Sequence, residues 1–301
     1  MQKVQKIKII TDTASDLDIK LAEEQDILVL PFKVIFNDKE YRESYDFSKK
    51  EFYGMLGEYD GIPSHSQITP FEWLESIEKC VSEGYKEIVI VPINQNGSAT
   101  FKSALTARMQ FYNEHYSQDE EKDVKIYIVN TLSYSLSYGY PVLEAAKMIK
   151  EGKTVGEILE FFDDWFNSYE LYFVTFDLKY AKQSGRIGTA SAIAGELLGI
   201  KPVIDLTAGK STTFSKVRSI PKAYEVMLDT AKSKMRGDKK YLIIYGDNED
   251  DYAEFKKIAK KELGEEMLMS GQIGACITCN AGPKVIGIGF LSEKRNEQII
   301  F

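Results

Sequence analysis

The run Ile88-Val89-Ile90-Val91, continued by Ile93, is the segment that leaves this chain the fewest options. β-Branched residues in succession offer no polar face, so the run reads as a strand buried on both sides at the centre of a parallel sheet. Such a strand needs helices above and below it. The polarity then flips. Asn94, Gln95, Asn96, Gly97 and Ser98 form a polar turn at the strand's carboxyl end, and from Ala99 apolar residues return at helical spacing through Phe101, Leu105, Met109 and Phe111. Ligands of open α/β sheets lie at the carboxyl ends of the strands, where a following helix points free N–H groups. Ser98, at or beside that helix's N-cap, is placed to bind an anion or a carboxylate, unless it only caps the helix.

The same grammar recurs on either side. Lys6 to Thr11 reads as a strand ending in Asp12, Thr13, Ala14, Ser15 and Asp16, and Lys125 to Val129 as a strand ending at Asn130-Thr131. A hairpin is expected from Ile27–Phe36, broken at Pro31, and Lys39–Arg42. The stretch GIPSHSQITP, Gly61 to Pro70, reads as irregular loop. It ends in a helix start, Thr69 followed by Pro70 and Glu72, which has the form of a capping box. Further helices are predicted from Ser48, over Pro141–Ile149, and over Val155–Phe166 after Thr154. From Leu171 the pattern changes to strands at 171–175, 201–206, 213–217 and 241–245, with helices at 178–183, 189–198, 220–235 and 251–263. The segment Glu266 to Phe290 reads as strand-rich. The expected fold is therefore two α/β domains, residues 1–165 and 166–301. The first has a mostly parallel sheet covered by helices on both faces, the second a mixed sheet with helices.

Composition narrows the function classes. With 44% hydrophobic residues over 301 positions, burial is not the limiting resource. A net charge of −8 argues against a nucleic-acid binder, which needs a concentrated basic face. No apolar run approaches bilayer-spanning length, and three cysteines leave an odd thiol, so a soluble cytoplasmic protein is expected.

Several catalytic patterns fail on inspection. Gly209-Lys210-Ser211 lacks the glycine of a phosphate loop, since Ile204 stands there, and reads as a turn. Cys276 and Cys279 have the spacing of redox or zinc pairs, but they lie in strand-like sequence, whereas redox pairs open a helix, and a zinc site needs a second ligand pair. No nucleophile elbow is present. A hydrolase would rest on Ser98 or Ser66 with His65, in a chain with only two histidines. No cofactor site is read.

Several segments in this order resemble the DegV family over nearly the whole chain. Its marks are Ile10-Thr11-Asp12-Thr13-Ala14-Ser15-Asp16-Leu17, the loop Ser66-Gln67-Ile68-Thr69-Pro70, Gly97 to Ala104, and Asn130-Thr131. The most extensive match runs from Leu178-Lys179-Tyr180 through Ser184-Gly185-Arg186-Ile187 to Gly199-Ile200-Lys201-Pro202, and Gly282-Pro283 completes the set. The resemblance implies a long, narrow fatty-acid pocket with the carboxylate end between the two domains. It also implies a non-catalytic role: a carrier that presents a long-chain fatty acid to a separate ATP-dependent fatty acid kinase subunit, with room for transient membrane contact and none for nucleic acid.

Ser98 matches the family serine that meets the carboxylate, which turns the reading from cap toward ligand. Positions 65 and 280, a threonine and a histidine in the family, are His65 and Asn280 here, and Gly97, Ala99 and Ala281 are further departures. Ser66 and Thr100 stand in the same loops. The imidazole of His65 either reaches the head group from the opposite side, in which case binding tightens as pH falls, or points to solvent. The small residues of 189–198, Ala190, Ile193 and Ala194 among them, line the acyl channel or form ordinary core. Arg186 pairs with a carboxylate inside its domain or faces a partner.

Overall fold

The computed structural model describes residues 6–116, 122–186, 199–237 and 239–301. The apolar run is indeed central. A parallel sheet forms from β1 (Ile7–Asp12), β2 (Ile27–Leu30), β6 (Glu87–Val91) and β7 (Lys125–Ile128), in the order β2-β1-β6-β7. β1 and β6 are buried at every position, as strands covered on both faces must be. A second, mixed sheet has the order β10-β9-β8-β13-β11-β12. Its members are β8 (Tyr169–Thr175), β9 (Lys201–Asp205), β10 (Thr212–Val217), β11 (Tyr241–Tyr245), β12 (Met267–Gln272) and β13 (Val285–Leu291), and only β11 and β12 run parallel. The expected pair of α/β units is thus present. One apolar cluster nonetheless runs through both, joining Ile9 and Ile90 to Phe173 and Leu242. The chain's last residues also cross back, with Ile300 bridging Val129 beside β7.

Helix starts follow their local chemistry. Ser48, Thr69 and Thr154 each form a complete capping box with Glu51, Glu72 and Glu157. The helix expected from Pro141 begins earlier, at Leu136, with Pro141 inside it. Proline cannot bond the carbonyl four residues back. That carbonyl belongs to Ser137, and the Trp165 indole N–H donates to it at 3.1 Å, which is why the helix survives.

Two expectations are corrected. The loop GIPSHSQITP contains a strand, β5 (Ser64–Ser66), paired antiparallel with β3 (Lys33–Phe36), which also pairs with β4 (Lys39–Arg42). Its Ser-His-Ser sequence shows no apolar alternation because the strand lies at the edge of a small sheet. The end of the chain is not all strand: Ala275–Ala281 is a helix, and it carries Cys276 and Cys279.

What makes strand-like sequence helical there is far away along the chain. The N–H groups of Gly274 and Cys276 donate to Asp16 Oδ1 at 2.6 Å and Glu43 Oε1 at 2.9 Å. Lys49 Nζ ties the Asp16 carbonyl to that of Gln272, at 2.9 and 2.5 Å. The Tyr53 hydroxyl donates to the Ile273 carbonyl at 3.0 Å. The first unsatisfied N–H groups of the helix thus receive carboxylates from the other sheet's side of the molecule.

Gly274 leaves no room for a side chain at this joint. A Cβ there would lie 2.5 Å from Glu43 Oε1 and 2.8 Å from Asp16 Oδ1. Gly274→Ala is expected to lower unfolding free energy by about 1–3 kcal/mol. Gly156→Ala, in the first turn of the helix Val155–Ser168 with only Thr154 Oγ1 nearby at 3.8 Å, is expected to be neutral or to stabilise by up to about 1 kcal/mol. Urea melts of both variants check the contrast.

Candidate functional site

A cleft opens between the two sheets. Ile93, Gly97 and Ser98 line it from the loop after β6, Tyr134 from the loop after β7, and His65 from β5. Phe173, Arg186 and Leu206 line it from the second sheet and its connections, and Cys276, Ile277, Asn280 and Ala281 from the short helix. Its wall is mostly apolar, with polar groups from Ser98, His65, Asn280 and Arg186.

Ser98 stands one residue before the N-cap of the helix Thr100–His115, and that N-cap, Ala99, has no side chain to cap it. Ser98 Oγ accepts from the Thr100 N–H at 3.3 Å and lies 2.9 Å from Thr100 Oγ1. Thr100, fully buried, also accepts the Ile68 N–H on its hydroxyl oxygen at 3.4 Å. Either hydroxyl can donate in the Ser98–Thr100 contact, and the Ser98 O–H can turn into the cleft when Thr100 is the donor. Gly97 permits the loop's shape: a Cβ there would lie 2.5 Å from Tyr134 Cε1. The turn after β9 closes on the same loop, with Asn94 and Asn96 Nδ2 donating to the Gly209 carbonyl at 2.9 and 3.2 Å.

His65 does not point to solvent. It lines the cleft with its ring edge-on to Phe32, and its two nitrogens are occupied. Asn280 Nδ2 lies 2.8 Å from the Cys276 carbonyl, which can only accept, so this nitrogen is a donor and its second N–H meets His65 Nε2 at 2.9 Å. Nε2 therefore accepts, the proton sits on Nδ1, and Nδ1 faces Cys276 Sγ at 3.8 Å. Burial, with the charge of Arg186, holds the imidazole below its ordinary value of 6.5. His65 is therefore a neutral ring at pH 7.

The remaining expected residues are spread out. Arg186 reaches the cleft, and among the described residues it bonds only Ser184, with Nη1 donating to the carbonyl at 2.7 Å. Ala99 is exposed at the N-cap, and Ser66, next to His65 on a strand, faces the other way. Ala190, Ile193 and Ala194 lie outside the described residues. Ser66 thus cannot join His65, and Ser98 bonds Thr100 rather than an imidazole, so no serine–histidine dyad exists among the described residues.

Cys276 and Cys279 sit in a helix rather than in a strand. Burial, with Glu43 beside them, nevertheless raises both thiols well above the ordinary 9.0, which opposes thiolate chemistry. The one group among the described residues with metal-ligand spacing, Glu78, Glu114 and His115, is exposed and does not line the cleft. No described helix is long and apolar enough to cross a membrane.

The walls rest on three buried carboxylates. Asp12 accepts from the Ile93 N–H at 2.8 Å and the Tyr138 hydroxyl at 2.5 Å. Asp16 accepts from Gly274 and Ser135, and Glu43 from Cys276 and, at 2.7 Å, from Thr13. Burial raises Asp12 and Glu43 to about 7 and Asp16 to about 6.

A sequence model described as "Uncharacterised protein, DegV family" matches residues 6–293. A DegV domain-containing protein of Clostridium perfringens is 29% identical over 289 residues, 95% of this chain and 99% of the relative. Among solved structures, a DegV family protein from Thermus thermophilus, described for its fatty acid binding, has a TM-score of 0.84 at 25% identity, covering 96% of this chain and 100% of the other. A stearic acid-binding protein from Eubacterium ventriosum has a TM-score of 0.85 at 22% identity, covering 95% and 98%, and is similar in fold.

The carboxylates set a pH dependence. Their folded pKa values lie above the ordinary 3.8 and 4.5, so the folded state holds protons more tightly than the unfolded one. The stability they contribute is full below about pH 4 and is lost as pH rises through 6 to 7. Between pH 5 and 8 the unfolding free energy is expected to fall by roughly 2 kcal/mol per pH unit. Glu43→Gln removes the titrating group and keeps an acceptor for the Cys276 N–H, while the Thr13 hydroxyl, which donates to Glu43, must rotate to accept from the amide, and it is expected to flatten that slope in urea melts taken across the range.

Proposed function

The chain belongs to the DegV family, and on that premise we propose that it binds a long-chain fatty acid in the cleft between its two sheets. The observation that carries this reading is the division of the cleft wall: apolar side chains over most of it, hydroxyl, amide and guanidinium groups over the rest. A tail of about sixteen carbons gains a gross term of about 12 kcal/mol on burial, before association costs are deducted. A carboxylate buried without donors would forfeit several kcal/mol of that, so the Ser98 hydroxyl and Arg186 take the charged end. The loops of residues 1–165, together with Arg186, supply the head-group contacts, and residues 166–301 supply most of the wall for the acyl chain.

The role is that of a carrier rather than an enzyme. It is a cytoplasmic lipid-binding protein that hands the carboxylate to an ATP-dependent fatty acid kinase subunit. The absence of a serine–histidine contact among the described residues supports this over hydrolysis. Arg186, without a carboxylate partner among the described residues, is free to meet the ligand or the kinase. Mixing the loaded protein with such a kinase and ATP should yield acyl phosphate, whereas the protein alone should yield none.

Protein purified from a bacterial host is expected to release a long-chain fatty acid on denaturation, detected by mass spectrometry of the extract. An empty protein that also refuses added palmitate contradicts the reading. Ser98→Ala removes a hydrogen bond to a charged group, worth roughly 1.5–3 kcal/mol. Calorimetric titration with palmitate should show affinity about 10- to 100-fold weaker on an unchanged fold. Equal affinity would return Ser98 to a purely local role.

A further inference from the structure

We infer that Asp16 is the positioning residue of this cleft: with one carboxylate it holds both the segment that carries Tyr134 and the helix that carries Cys276, Ile277 and Asn280. The inference rests on the fatty-acid reading for its ligand, though not for its geometry. Asp16 is buried and touches none of the space a ligand would take. Its Oδ1 accepts the Gly274 N–H at 2.6 Å, and its Oδ2 meets the Ser135 hydroxyl. These two bonds reach opposite walls.

The Tyr134 segment needs such a hold. Leu132 has φ 48° and Ser135 has φ 56° with ψ −146°, so two non-glycine residues in positive φ bracket Tyr134. The Ser135 conformation lies near a region populated almost only by glycine, and it persists only where the surroundings over-determine it. The bond to Asp16 is that constraint. It matters for the cleft because the tolerance is small: Tyr134 Cε1 occupies the space that a Cβ on Gly97 would need, at 2.5 Å. A shift of the ring therefore changes both the cleft wall and the loop that presents Ser98.

The helix side is equally close-fitting. Gly274 has no room for a Cβ against Asp16, so the carboxylate fixes where the helix begins, and hence where Cys276 and Asn280 stand relative to His65. Other groups near Asp16 hold it in turn. Lys49 bonds its carbonyl, and Glu43 takes the adjacent Cys276 N–H. Asp12 anchors a third wall through Ile93. Asp16 alone among the three reaches two walls with its side chain.

Two substitutions separate positioning from general support of the fold. Ser135→Gly cuts one tie while relieving the strained backbone, so it should melt at or above the parent temperature and yet bind a fluorescent long-chain fatty acid about tenfold more weakly. Asp16→Asn keeps an acceptor for Gly274 but turns its NH2 toward the Ser135 hydroxyl, which donates to Asp16 Oδ2 and can keep the tie only by rotating to accept, so binding should fall between those of the parent and Ser135→Gly. Parent-like affinity in Ser135→Gly overturns the assignment. Should the parent protein itself refuse the probe, the fatty-acid reading fails and hydrogen exchange without ligand decides the positioning. Faster exchange confined to Asn96–Ser98 and the Tyr134 segment in Ser135→Gly upholds it, and unchanged exchange there overturns it.

Discussion

Carboxylates taken out of water must find donors, and Asp12, Asp16 and Glu43 find theirs in backbone that belongs to the walls of the cleft. Removing an ion from water costs several kcal/mol even in a relaxed protein interior, and that cost is offset only by well-placed hydrogen bonds. The requirement runs in both directions. The charges need the N–H groups of Gly274, Cys276 and Ile93, and those groups, at a helix start and a strand exit, need acceptors. The two sheets are joined where these needs meet.

The site inherits its shape from that joint. Cys276 and Asn280 stand where they do because their helix begins at carboxylates contributed by residues 16 and 43. Once Asn280 is placed, its amide is committed to the Cys276 carbonyl and to His65, and His65 is fixed as a neutral ring. The histidine and the amide are bonded to each other. Ser98 is governed differently, by Thr100 behind it and by Tyr134 over Gly97. Affinity for an acyl chain would come from apolar wall, and orientation from these few polar atoms.

Much of this was legible wherever the determinant is local. The apolar run of β6, the capping boxes at Thr69 and Thr154, and the polar turn holding Ser98 declare themselves within a few residues. The failures share a physical cause. Ala275–Ala281 contains Ile277 and Thr278, which favour strands, and it is helical because of acceptors more than two hundred residues earlier. β5 exists because Lys33–Phe36 offers it an edge, and three polar residues give no sign of that. Tyr134, Leu206 and Phe173 were missed as cleft residues because nothing in their own segments separates a wall from a core. Glu43 was missed because a single acidic residue in a hairpin looks like surface until its burial is known.

The central claim is that a fatty acid lies in this cleft with its charge at Ser98. A crystal structure of the protein with palmitate tests it most directly. The account predicts a carboxylate oxygen within hydrogen-bond distance of Ser98 Oγ, with the chain running against Phe173, Leu206 and Ile277. Palmitate bound outside the cleft, or inside it with the carboxylate turned away from Ser98, would contradict the account.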